Sequence, residues 1–159
     1  MEFEEAVQTL VDAGVEFVII GGVSASFNGS ARVTYDLDIC YSRTASNLRR
    51  LAAALAPFHP RPRGFPAELP FLWDERTLQG GTVFTLATDL GAIDLLAEVA
   101  GLGAYDRVKA HSIMVEAFDR RVATLDLPSL IQSKRAAGRE RDLSALPELE
   151  SLLEAEEPE

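Results

Sequence analysis

The chain has 159 residues, which allows one domain and little more. With 47% apolar and 25% charged residues it has the makeup of a globular domain rather than a disordered one. Its formal charge of -10 excludes a protein that coats DNA or RNA through bulk positive charge.

Phe3, Ala6, Val7, Leu10 and Val11 recur at helical spacing and predict an amphipathic helix over 2–14, ended by Gly14. The acidic opening, Met1 to Glu5, has neither the basic flank nor the apolar run of a signal peptide. Val15 to Ile20 is a short, β-branched run before Gly21-Gly22 and reads as a buried strand. Val23 to Gly29 reads as a short helix and Leu37 to Tyr41 as a second strand. Over 44–56 a helix is expected, with Thr44 as N-cap and Pro57 as stop. Five of the eight prolines fall in 57–70, with Arg61, Arg63 and Gly64, predicting a long surface loop without regular structure. Loops of that length serve as lids or stay disordered.

Thr82 to Ala87 and Ala92 to Val99 are apolar and form a predicted hairpin around Thr88-Asp89-Leu90-Gly91. A second hairpin is expected around Asp119-Arg120, from Ser112–Phe118 and Arg121–Leu125, although its first half is also compatible with a helix. Pro128 to Ala137 is a predicted helix, with Asp126 or Leu127 just before it and Gly138 breaking it. Asp142 to Ala155 is a last helix containing Pro147. The acidic end, 142–159, with Glu148, Glu150, Glu154, Glu156, Glu157 and Glu159, reads as a solvated face. No stretch approaches the roughly 18–20 apolar residues that span a bilayer. The single cysteine, Cys40, has no internal disulfide partner. A single domain over 1–159 in the reducing cytoplasm is therefore expected.

The chemistry concentrates in two places. Gly21-Gly22 follows a strand and precedes a helix, so the backbone can approach an anion with no Cβ in the way. The helix start offers free N–H groups, and Ser24 could donate a hydroxyl to a phosphate. The same glycines fit an ordinary tight turn. In Asp36-Leu37-Asp38, strand alternation puts both carboxylates on one face with Leu37 toward the core. Two like charges that close are costly unless a cation lies between them. Solvation at the strand start is the alternative. Asp94, inside the apolar run Ala92-Ile93-Asp94-Leu95-Leu96, carries a desolvation cost unless it is paired or metal-bound. If its strand lies beside that of Asp36 and Asp38, three carboxylates converge. They would suit Mg²⁺, and two ions in a phosphoryl-type transfer, with Asp94 on the second ion or accepting a hydroxyl proton.

Gly21-Gly22, Asp36-x-Asp38 and a later strand-borne Asp94, together with the spelling Arg32-Val33-Thr34-Tyr35-Asp36-Leu37-Asp38, resemble the nucleotidyltransferase superfamily with the DNA polymerase β-like palm. Within that superfamily the chain resembles small bacterial members, including the minimal nucleotidyltransferases and the toxin components of abortive-infection toxin–antitoxin pairs. The run Lys134 to Asp142 is similar to a Lys…Gly-Arg-x-x-Asp segment in such proteins, so the likeness covers about Val15 to Leu146. The resemblance implies an α+β fold: a mixed, largely antiparallel sheet with helices packed on it. It implies transfer of a nucleoside monophosphate from an NTP to a hydroxyl of a small molecule, tRNA or protein. Mg²⁺ (with Mn²⁺ as a substitute) would sit on Asp36, Asp38 and Asp94. Gly21, Gly22, Ser24, Arg32, Lys134 and Arg139 would meet the phosphates. A homo-oligomer or antitoxin partner fits that picture. A nucleotide-binding or regulatory module without turnover is the alternative, because the family often has Gly-Ser where this chain has Gly21-Gly22.

Lys134 and Arg139 also suit a helix C-terminus, where the dipole favours cations. Asp142 is equally an N-cap, a partner of Arg139 or a site residue. Cys40 has no zinc-spaced companion, and His59 and His111 form no triad with a serine. Phe71 and Trp73 read as core or loop anchors, while Arg61 and Arg63 could hold an acidic acceptor or be solvated.

Overall fold

The computed structural model describes residues 3–156. Glu2, Glu157 and Glu159, which were assigned above to the ends of the first helix and the acidic tail, lie outside the described residues. Helices α1 (Phe3–Asp12), α2 (Gly21–Phe27), α3 (Ala45–Leu55), α4 (Glu75–Gln79), α5 (Tyr105–Ala110), α6 (Leu127–Ala137) and α7 (Glu140–Glu156) surround a sheet. The sheet strands are β1 (Phe17–Ile20), β2 (Asp36–Tyr41), β3 (Arg61–Pro62), β4 (Val83–Thr88), β5 (Gly91–Leu96), β8 (Ser112–Ala117) and β9 (Arg120–Leu125). A separate two-stranded ribbon pairs β6 (Glu98–Val99) with β7 (Gly103–Ala104).

The seven strands run in the order β3-β4-β5-β2-β1-β9-β8. Four of the six pairings are antiparallel; β2–β5 and β1–β9 are parallel. The architecture is the mixed, largely antiparallel α+β sheet expected above. Among the described residues, no helix is long and apolar enough to cross a membrane.

Alternation along the strands explains the layering. Phe17, Ile19, Leu37, Ile39, Tyr41, Ile93 and Leu95 pack on one face against Ala6, Val7 and Leu10 of α1 and Leu48, Leu51 and Leu55 of α3. Val18, Ile20, Cys40, Ala123 and Leu125 face the other way, against Leu130 and Ile131 of α6 and Ala145 and Leu149 of α7. The central strand β1 is thus buried on both faces, which is why it is continuously apolar. By the same period, Asp36 and Asp38 share the α6–α7 face with Cys40.

The expectations fail in specific places. The segment 57–70 is not free of regular structure. Residues Ala56–Phe58 form a 3₁₀ turn, and Arg61–Pro62 pairs with Leu86–Ala87 of β4. Arg61 fastens the rest by donating to Pro66 O (3.0 Å) and Leu69 O (2.8 Å), with its guanidinium 5.4 Å from the Phe65 ring. Prolines are tolerated here because the pairing lies at the sheet edge. The second hairpin turns one residue earlier than expected, at Phe118-Asp119, with Arg120 already paired to Ala117. Both turn residues have positive φ (56° and 59°), the two-residue geometry that matches strand twist. The strand expected over 92–99 breaks after Leu96, and Glu98–Val99 joins the ribbon instead. Helices α4 and α5 were not expected. The Asp74 cap on Thr77 N (2.9 Å) marks the first, whereas α5 has no side-chain cap to reveal it.

Candidate active site

Strands β2 and β5 are parallel neighbours, and Asp38 lies directly opposite Asp94 in their register. Asp36 is two residues back on the same face. One carboxylate oxygen of each lies within 4.8 Å of the others. Strand pairing alone therefore brings together residues separated by more than fifty positions in the chain. Asp38 Oδ1 and Asp94 Oδ1 are buried with no hydrogen-bond donor. Burial first, then the charge and hydrogen bond of Asp94 and the charge of Asp36, push the Asp38 carboxyl up to about 7, with Lys134 opposing them. An all-carboxylate set in which Asp38 Oδ1 has neither a donor nor a cation beside it fits a hard divalent cation.

The glycine pair makes room for the site's own side chains. Gly21 has φ of +66°, and a Cβ there would lie 2.2 Å from Asp38 Oδ2. A Cβ on Gly22 would lie 2.5 Å from Thr34 Oγ1. Gly21→Ala would combine left-handed backbone strain with a forced shift of Asp38, and is expected to cost about 2–3 kcal/mol in urea unfolding. An unchanged midpoint would contradict the contact.

Ser24 does not face the cleft, contrary to the expectation of a phosphate donor. It is fully buried, donates to Leu125 O (3.2 Å) and accepts from Thr124 Oγ1 (2.7 Å). Because α2 begins at Gly21 rather than Val23, Ser24 sits past the free N–H groups of the first turn and points into the β1–β9 junction.

Opposite the acids, α6 and α7 present cations. Asp126 caps α6 by accepting Ser129 N (2.8 Å), and Gly138 (φ +67°) closes it onto Lys134 O. Asp142, with 2% of its side chain exposed, accepts Arg139 Nε at 2.6 Å and lies 3.5 Å from Lys134 Nζ. It also reaches back to the Arg139 backbone N (3.3 Å), so it caps α7 and fixes both cations at once. Burial alone would raise the Asp142 carboxyl; the Arg139 hydrogen bonds and the Lys134 and Arg139 charges outweigh it and hold it below the aspartate range.

A cleft of about 560 Å³ lies between these walls, lined by Asp36, Asp38 and Asp94 on one side and Arg32, Lys134, Arg139 and Arg141 on the other. Gly22 and Thr34 also line it; Gly21 borders a smaller adjoining pocket with Asp38, Lys134 and Arg139. Three contributors were given other readings, or none, from sequence. Glu148 of α7 latches the strap that carries Arg32, accepting from Ser30 Oγ (2.5 Å) and Ala31 N (3.0 Å). Arg141 joins the basic wall. Arg63, read as an acceptor-binding or solvated residue, instead places Nη2 2.6 Å from Asp94 Oδ1. That approach is an ion pair without hydrogen-bond alignment. Cys40, His59 and His111 do not line the cleft; His59 pairs with Asp89 elsewhere. Trp73 anchors the chain by donating to Ala52 O (2.9 Å).

No protein-family model and no curated protein matches the sequence. Solved structures do match the fold. The lincosamide antibiotic adenylyltransferase LnuA, in its lincomycin-bound form, superposes over 96% of this chain and 98% of its own, with TM-score 0.62 and 13% identity. A Thermotoga maritima protein classed as a candidate nucleotidyltransferase superposes over 95% and 96%, with TM-score 0.56 and 14% identity. The chain has the nucleotidyltransferase fold.

Proposed function

We propose that this nucleotidyltransferase-fold chain moves a nucleoside monophosphate from an NTP to a hydroxyl of a small molecule, with Mg²⁺ or Mn²⁺ on Asp36, Asp38 and Asp94. The convergence of three carboxylates, among them the buried and unpartnered Asp38 Oδ1, on a cleft walled by cations is the observation that carries this reading. A bound divalent ion would draw charge from the phosphates and ease loss of the acceptor's hydroxyl proton. Asp36, Asp38 and Asp94 would hold the ion, and Asp94 would also orient the acceptor hydroxyl or take its proton. Lys134, Arg139 and Arg32 balance the triphosphate charge. The glycine pair lets Asp38 and Thr34 sit close beneath the cleft.

A small acceptor is favoured over RNA because the chain carries -10 net charge, which opposes a polyanion. LnuA, of nearly the same extent, is an adenylyltransferase of lincosamide antibiotics, which supports an acceptor of that size class. The withdrawal of Ser24 favours a second reading, a nucleotide-binding module without turnover, since it removes one hydroxyl from the phosphates.

The test incubates the purified chain with each α-labelled NTP, Mg²⁺ or Mn²⁺, and a panel of hydroxylated small molecules or tRNA. Metal-dependent pyrophosphate release with label on a small molecule is the expected result. Label on tRNA would overturn the acceptor class, and nucleotide binding with no pyrophosphate release would establish the second reading.

A further inference from the structure

The three acids are not equivalent. Asp36 and Asp38 form no ion pair within 4 Å among the described residues, whereas Asp94, with 17% of its side chain exposed, carries the Arg63 guanidinium on Oδ1. Arg63 is not a wandering surface side chain. Its backbone N donates to Thr85 O (2.9 Å) and its Nη1 to Leu86 O (2.8 Å), so β4, the strand beside β5, holds the guanidinium at the cleft. A cation and a divalent ion compete for the same carboxylate oxygen, since both need its lone pairs and repel each other. The guanidinium can leave Asp94 without unpairing β3, because the backbone pairing of Arg61, Pro62 and Arg63 with β4 stays in place and only the side-chain bond to Leu86 O and the Asp94 contact need to break.

We infer that Arg63 is a tethered cation that occupies the Asp94 end of the acid cluster and must leave before a divalent ion binds there. The inference rests on the metal reading above and deepens it. The resting chain then loads an ion at Asp36 and Asp38, and the Asp94 position opens only as Arg63 swings away. The Arg63 side chain becomes a gate on metal loading, and Arg63 a positioning residue that sets how many ions the site takes.

Calorimetric titration of Mn²⁺ into the full chain, without nucleotide, tests this directly, with bound ions counted by electron paramagnetic resonance. Wild type is expected to take one ion. Arg63→Gln is expected to take a second ion, or to bind the first about tenfold more tightly, the effect of losing one charged contact. Arg63→Lys keeps a cation and is expected to follow wild type. Equal affinity and stoichiometry in wild type and Arg63→Gln would overturn the gate while leaving the metal reading standing. No Mn²⁺ binding by any of the three would overturn both. Should Arg63→Gln not fold, modification of Arg63 in wild type by phenylglyoxal, mapped by mass spectrometry, supplies the answer. Arg63 is expected to stay protected while a single Mn²⁺ is bound and to become reactive only when excess Mn²⁺ loads a second ion; a second bound ion with Arg63 still protected would overturn the gate.

Discussion

Asp38→Asn is expected to lower nucleotidyl transfer roughly 10³-fold or more, the scale of losing one preorganised charge in an active site, while the chain stays folded. Most substitutions cost stability; this one is expected to add it at neutral and alkaline pH. The Asp38 carboxyl is pushed up to about 7 because burial and the neighbouring carboxylates disfavour its ionised form. Its unfolded-chain value is that of an ordinary aspartate, 3.8. Between those two values the folded chain holds a proton that the unfolded chain has released, so stability falls as pH rises through the window and is flat above it. The drop is of order a few kcal/mol. Asparagine neither titrates nor repels Asp94, so the variant loses this slope. Thermal melts at about pH 5 and about pH 8 read the difference, with wild type melting lower at the higher pH and the variant changing less. Saturating Mn²⁺ at the higher pH should restore wild type, by ligand-linked stabilisation, and leave the variant where it was. A variant that melts well below wild type at high pH, or keeps its turnover, would show that Asp38 is a structural residue rather than an electrostatically strained one.

What could be read in the chain and what could not divides by the range of the interaction. Asp36-x-Asp38 was legible because period-two alternation puts both on one face wherever the strand goes. Asp94 was legible because a carboxylate in an apolar run demands a partner. That the two strands are adjacent, parallel and in the register that sets Asp38 against Asp94 is a fact of topology with no local signal. The direction of Ser24 turned on whether its helix starts at Gly21 or Val23, a two-residue shift that separates a phosphate donor from a core hydrogen bond. Boundaries of that kind are set by tertiary packing. Arg63 was beyond reach for a different reason: its partner lies 31 positions on, and β3 is only two residues long, too short to show a pattern. Asp142 had three readings: pairing with Arg139 holds, the N-cap reading misses because α7 begins at Glu140 and Asp142 instead reaches back from the first turn to Arg139 N, and the contact with Lys134 depends on how α6 meets α7.

That contact leads to a second large stability effect, on the opposite wall of the cleft from the acid cluster. Asp142→Asn keeps the shape of the side chain and removes the charge on which Lys134 and Arg139 rest. The two cations are unequal. Arg139 has 58% of its side chain exposed and can turn to water at little cost, whereas Lys134 has 22% exposed and is left largely buried beside an amide. Breaking one side of a mostly buried pair is expected to cost about 2–3 kcal/mol, below the full value for a fully buried pair because Arg139 escapes. The pH dependence has the opposite sign to that of Asp38. The folded Asp142 carboxyl lies below the aspartate value, so its contribution is present above about pH 4 and is lost as pH falls through the folded value. Asp142→Asn should therefore approach wild type in stability at strongly acidic pH and fall behind it at neutral pH. Lys134→Ala isolates the pair: if the lysine is the cation left stranded, Asp142→Asn made in that background should cost about 1–2 kcal/mol less than it does alone. Strict additivity in urea unfolding would mean that Asp142 stabilises the chain only as the cap of α7, and that the cationic wall stands without it.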